Sequence, residues 1–189
     1  IIDAIRSNFY VTISIDSRKS DVAEEAIKHG ANIINDISML NYDENMIDLL
    51  KKTDNPYILT HNRKINPGKV IDQVVNDINI TINNLEKEGI DKKRIVIDPG
   101  FGFGKSVEHN YELLRRLAEF HELSAPLLVG VSRKSMIGAV TGRSVDRRLS
   151  GSVAATSLAL QAGAHIIRTH DVADTVDAIK VYQACRSSG

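Results

Sequence analysis

The sequence predicts an α/β fold in which a parallel sheet is wrapped by helices, because six short apolar runs each end in hydrogen-bonding or charged residues and each is followed by helical spacing. Val11 to Ile15 runs into Asp16, Ile33-Ile34 into Asn35 and Asp36, and Tyr57 to Leu59 into Thr60 and His61. Ile95 to Ile97 runs into Asp98, Leu127 to Val131 into Ser132, Arg133 and Lys134, and Ile166-Ile167 into Arg168, Thr169 and His170. The stops at 16, 36, 61, 98, 132 and 168 lie 20, 25, 37, 34 and 36 residues apart, the length of single βα units rather than of separate domains. Chemistry in such folds sits where the strands stop. A TIM (β/α)8-type barrel uses eight units over about 250 residues, and six are counted here. Six parallel strands alone would leave two open hydrogen-bonding edges. The expectation is one barrel domain, residues 1–189, with about six of eight units and an apparent truncation at the N-terminal side.

The helices follow from their apolar stripes. Val22, Ala23, Ala26 and Ile27 lie behind Ser20 as N-cap and end at Gly30. Met46, Ile47 and Leu50 mark the next helix, and Ile71, Val74, Val75, Ile78, Ile82 and Leu85 a longer one ended by Gly89. Leu113, Leu114, Leu117 and Phe120 predict a fourth helix, and Val153, Ala154, Ser157, Leu158 and Leu160 belong to a fifth, ended by Gly163. Val172, Val176 and Ile179 carry the last. Residues 1–7 read as the tail of a helix.

Composition excludes several classes. The 24 basic and 24 acidic residues cancel, so no general field draws the chain to nucleic acid or an anionic membrane. No apolar run approaches the roughly 18 residues of a membrane span. The single cysteine, Cys185, allows no internal disulfide, fits the cytoplasm, and is read as a packing residue on the last helix. Of the 13 Asn, 12 precede Asp98, whereas 8 of the 12 Arg follow it, yet the βα rhythm crosses that line undisturbed.

The segment Asp98-Pro99-Gly100-Phe101-Gly102-Phe103-Gly104-Lys105-Ser106 is the most specific. A phosphate loop ending at Gly104-Lys105-Ser106 needs glycine where Pro99 stands, and a dinucleotide fingerprint starting at Gly100 needs glycine where Lys105 stands. What remains is a strand-end carboxylate followed by a flexible loop that lets backbone approach a flat ligand, with Phe101 or Phe103 as its cover. Asp16, Asn35 and Asp98 offer the acceptors and donors that read a pterin or purine edge, or else cap the following helices. Ser132-Arg133-Lys134 follows Gly130, a strand glycine that marks close approach to the backbone. Two cations there suit a carbonyl or an anion. Arg168 and His170, one residue apart on an extended segment, suit an oxyanion, with a local Arg168–Asp171 pair as the alternative. His61 either binds substrate or braces the next loop. No Cys/His pairing points to a protein-held metal.

Taken together, Asp98 to Lys105, Ser132-Arg133-Lys134-Ser135 and Arg168-Thr169-His170-Asp171, preceded by Ile13-Ser14-Ile15-Asp16 and Ile33-Ile34-Asn35-Asp36, resemble the bacterial dihydropteroate synthases, pterin-binding TIM barrels of folate biosynthesis. The resemblance implies a transferase joining 6-hydroxymethyl-7,8-dihydropterin diphosphate to p-aminobenzoate with release of diphosphate, and inhibition by sulfonamides. It implies that Asp16, Asn35, Asp98, Gly130 and Lys134 bind the pterin and that Phe103, Ser132 and Lys134 border the p-aminobenzoate slot. Arg168 and His170 would bind diphosphate, with Arg133 and His61 in support. It also implies Mg²⁺, held through the diphosphate and a loop that has no counterpart in this sequence, and a cytoplasmic homodimer. Because the family's first two strand-end loops have no counterpart here, weak or no turnover is expected of this polypeptide. The alternatives are a pterin-binding barrel without synthase activity, or a methyltetrahydrofolate-type methyltransferase domain.

Overall fold

The computed structural model describes residues 1–66 and 68–186. By their internal contacts these fall into two compact units, one formed by 1–62 and 76–97, the other by 63–75 and 98–189.

The first unit opens with α1 (Ile2–Asn8) and alternates β1 (Ser14–Asp16), α2 (Ser20–Lys28), β2 (Ile33–Asp36), α3 (Asn45–Lys52) and β3 (Tyr57–Thr60). The long helix α4 (Val70–Lys87), of which residues 76–87 belong to this unit, then leads to β4 (Ile95–Asp98). The strand order is β1-β2-β3-β4, with β1 and β3 both parallel to β2. Asp16 stands opposite Asn35, and Asp36 opposite Leu59. Continuous apolar strands suit a parallel sheet covered by helices, and Ile34, Tyr57, Leu59, Ile95 and Ile97 are fully buried. Helix α4 buries Val70, Ile71, Val74, Ile78, Ile82 and Leu85 at its predicted spacing. Val75 is only half-buried.

Two expectations about this unit change. The first strand begins at Ser14, not Val11, and Val11 is exposed. Ser20 is not the cap of α2 but its first residue; Lys19 holds the cap position. Asp43, from the loop before α3, accepts both the Ser20 backbone N–H and its hydroxyl at 2.7 Å, so a distant carboxylate does the capping. Gly30 stops the helix as expected, at φ +102°, where its N–H donates to Ile27 O.

The second unit contains α5 (Val107–Arg115), β5 (Leu128–Val129), α6 (Ser135–Thr141), α7 (Leu149–Gln161), β6 (Ile166–Ile167) and α8 (Val172–Arg186). Strands β5 and β6 pair in parallel, Val129 beside Ile167. The predicted fourth helix is divided. Regular α-helix ends at Arg115, and Leu117–Leu123 continue as a 3₁₀ segment that buries Leu117, Phe120 and Leu123. Helix α6, which carries Met136, Ile137, Ala139 and Val140 and buries the first two, is not among the predicted helices.

The fifth and sixth predicted helices are present as α7 and α8, but of the fifth stripe only Leu160 is buried. Helix α7 buries Ser152, Ala155, Thr156, Ala159 and Leu160, while Leu158 is 55% exposed. Its packed face is made of small residues because α6 lies close: a Cβ added at Gly151 would run into Ile137. Helix α8 buries only Thr175; Val172 and Val176 are exposed. Cys185 is exposed rather than packed.

Candidate functional site

Most of the candidate residues gather in the second unit, around the end of β4 and the loop after it. Asp98 is 1% exposed, and its carboxylate accepts the Gly100 N–H at 2.8 Å and a guanidinium N–H of Arg168 at 2.6 Å. Arg168 arrives from the end of β6, 70 residues away in sequence. It crosses Gly130 on the way: a Cβ there would lie 3.1 Å from Arg168 Nε. The strand glycine is thus needed for close approach, but by a side chain of the protein itself. The Asp98 partner also settles the alternative for Arg168, since Asp171 instead takes two N–H groups of Arg133. That hydrogen bonding holds the Asp171 carboxyl below its ordinary range and raises the Arg133 guanidinium.

The loop 100–105 has little intrinsic preference. Gly100, Gly102 and Gly104 all adopt left-handed conformations, at φ +72°, +83° and +60°. Its backbone polar groups are therefore satisfied by side chains. Asn110, buried on α5, accepts from Gly102 N at 2.7 Å and donates to Lys105 O and Ser106 O. Lys134 Nζ donates to Phe101 O at 2.6 Å and lies 4.8 Å from the centre of the Phe103 ring. Lys105 Nζ donates to Gly100 O at 3.0 Å and to Phe103 O at 3.1 Å. Phe101 is fully buried and so belongs to the core. Phe103, half-buried, is the aromatic left at the surface of the loop.

Lys105 is not among the candidate residues named from the sequence, yet it joins this cluster. Burial pulls its ammonium from 10.5 to about 8, opposed by the Asp98 charge and assisted by repulsion from Lys134. Lys134 is lowered for the same leading reason, again with Asp98 opposing. Two lysines and an arginine around one buried carboxylate leave an excess of positive charge, which favours an anionic or electron-rich ligand. The only signal in the sequence was a lysine closing a glycine run.

Ser132 is buried, and its hydroxyl oxygen accepts the His170 backbone N–H at 3.2 Å and lies 3.0 Å from His170 Nδ1. A serine–histidine contact was not anticipated. Because the oxygen also takes a backbone N–H, it braces the loop after β6 rather than standing as a nucleophile.

In the first unit, Asp16 is exposed at the end of β1, and Asn35 is buried beside it on β2. Asp36 is structural: it accepts from Ser38 N, Leu40 N and the Tyr57 hydroxyl, bracing a turn in which Met39 and Leu40 have φ of +56° and +61°. His61 is fully buried with Nε2 at 3.2 Å from Asp77 on α4, the bracing arrangement. Among the described residues no group of three or more His, Cys, Asp or Glu side chains is placed to hold a metal.

The family model for pterin binding enzymes matches residues 1–170. The dihydropteroate synthase of Escherichia coli K12 is 43% identical over 196 aligned positions, covering 100% of this chain and 69% of that protein. Among solved structures, the dihydropteroate synthase of Xanthomonas albilineans in complex with 7,8-dihydropteroate is 40% identical, with a TM-score of 0.96 over 100% of this chain and 72% of that one. The Yersinia pestis synthase in a sulfonamide drug complex is 36% identical, with a TM-score of 0.95 over 100% of this chain and 71% of that one. The TIM-barrel-type α/β class read from the βα spacing is the fold of these synthases. The chain therefore belongs to the pterin binding enzymes and, within them, to the dihydropteroate synthases, transferases of folate biosynthesis.

Proposed function

We propose that Asp98, Gly130 and Lys134 bind the pterin of 6-hydroxymethyl-7,8-dihydropterin diphosphate, and that Arg168 and His170 receive the departing diphosphate. Phe103, Ser132 and Lys134 border the p-aminobenzoate slot, Arg133 fixes the loop after β6 through Asp171, and His61 supports through Asp77. One observation carries this reading: the buried Asp98 carboxylate bonds Arg168 and its charge acts on Lys105 and Lys134, so one cluster of side chains offers both an acceptor for pterin N–H groups and cations for oxyanions.

No protein nucleophile is required. The pocket clamps the pterin, and positive side chains stabilise the anion as it leaves the exocyclic methylene, which the amine of p-aminobenzoate then attacks. The related synthases bound to 7,8-dihydropteroate and to a sulfonamide support the same ligand classes here. Mg²⁺ is proposed to act through the diphosphate, since among the described residues no group of three or more His, Cys, Asp or Glu side chains is placed to hold it. A homodimer through the last helices is supported by the exposed Leu158, Val172, Val176 and Val181. A cytoplasmic location is supported by the lone cysteine. Among the described residues no helix is long and apolar enough to cross a membrane.

Calorimetric titration with 6-hydroxymethyl-7,8-dihydropterin, then p-aminobenzoate with diphosphate, followed by a turnover assay, tests the reading. Saturable pterin binding that Asp98→Asn weakens at least tenfold is expected. Equal affinity in the variant would overturn the assignment of Asp98.

A further inference from the structure

We propose that Arg148 and Ser152 are positioning residues that hold Arg133 in a left-handed conformation and thereby aim Ser132 and Lys134 on either side of it. The inference rests on the pterin reading above for its functional consequence, and on geometry for the rest. Arg133 has φ +55°, a region disfavoured for L-residues other than Asn and Asp. Its backbone groups are each held from α7 or its start. The Arg133 N–H donates to Ser152 Oγ at 2.9 Å, and Arg148 Nη1 donates to Arg133 O at 2.9 Å. The Ser152 hydroxyl in turn donates to Arg148 O at 2.8 Å, closing a loop of bonds, and Arg148 Nε donates to Arg143 O at 3.0 Å. The Arg133 side chain is held separately by Asp171.

A second feature points to the same arrangement. Gly138 sits inside α6, where glycine is unfavourable. A Cβ at that position would lie 2.5 Å from Arg148 Cζ and 2.6 Å from its Nε. Glycine there is the space through which the guanidinium reaches Arg133 O. Neither Arg148 nor Ser152 is placed against the proposed substrate, so their influence passes through the backbone of Arg133.

Three variants and two readouts test this. Arg148→Met removes the donor, and Gly138→Ala displaces the same guanidinium while deleting no polar group. With no ligand added, both are expected to lower amide-exchange protection at Arg133 and Lys134. Both should also weaken 6-hydroxymethyl-7,8-dihydropterin binding by roughly tenfold, the scale set by a left-handed penalty. Arg133→Asn supplies a residue that tolerates this conformation, so in that background Arg148→Met should cost less than about threefold. A merely structural role would give the same Arg148→Met effect in both backgrounds, and that result overturns the proposal. Unchanged protection at Arg133 in both Arg148→Met and Gly138→Ala overturns it whatever the binding. If protection falls as expected but the parent chain binds no pterin, the assigned function fails while the hold on Arg133 stands.

Discussion

Replacing Lys105 by Met removes a buried ammonium from the loop that follows β4, and its consequence is a change in how stability depends on pH. In the folded chain burial lowers this lysine from 10.5 to about 8, whereas in the unfolded chain it titrates as an ordinary lysine. Between those values the unfolded state carries the proton and the native state does not, so stability rises with pH through that window. Below about pH 8 both states are protonated and the burial penalty is fully felt. At about 1.36 kcal/mol per pH unit the complete window is worth about 3 kcal/mol, and the part from pH 8 to 9.5 about 2 kcal/mol. The narrower window is the useful one, because the buried Tyr57 hydroxyl, raised chiefly by desolvation, opposes the trend once unfolded tyrosine ionises. Lys134 is lowered too and adds a contribution of the same sign, which both proteins share. Urea unfolding at pH 7, 8, 9 and 9.5 on the parent and Lys105→Met gives the difference directly. The parent should gain about 2 kcal/mol relative to the variant across the upper part of that range. Parallel curves would refute the claim that this ammonium is buried at a cost.

Gly130→Ala would place a methyl group 3.1 Å from Arg168 Nε, so the guanidinium must give by a few tenths of an ångström and its 2.6 Å bond to Asp98 is strained. Inorganic diphosphate binding, followed by calorimetry, should weaken by about tenfold, with little change in unfolding midpoint. Asp98→Asn removes the charge that raises both nearby lysines, so the Lys105 midpoint should fall further below its parent value, readable by ¹⁵N or ¹³C NMR titration. Tyr57→Phe deletes the 2.7 Å bond to buried Asp36 and should cost about 1.5–3 kcal/mol in urea unfolding while leaving pterin affinity unchanged.

Much of the candidate site was legible because the signals are local. A strand stop is a change of residue type over two or three positions, and Asp98, Ser132, Lys134 and Arg168 carry their chemistry in their side chains. The left-handed glycines of the 100–105 loop were equally evident as a flexible segment. The helix faces were harder. A period of 3.6 locates a helix without saying which side is packed when small residues do the packing, so the stripe on α7 was placed one face away from Ala155, Thr156 and Ala159. Phe101 and Phe103 look alike in the sequence, yet one is core and the other borders the loop surface.

The order of apolar runs and polar stops was enough to assign the parallel α/β class, and the motifs around 98–105, 132–135 and 168–171 the family they resemble, since both depend on residue type and spacing along the chain. Which charge meets which depended on contacts between residues far apart in sequence. Arg168 pairs with Asp98, 70 residues away, rather than with Asp171, three positions on, because β6 carries its guanidinium across Gly130 while Arg133 turns back to occupy Asp171. The burial of Lys105 and the conformation of Arg133 belong to the same category. Both are imposed by groups brought in through packing, and no local preference of a lysine or an arginine would produce either.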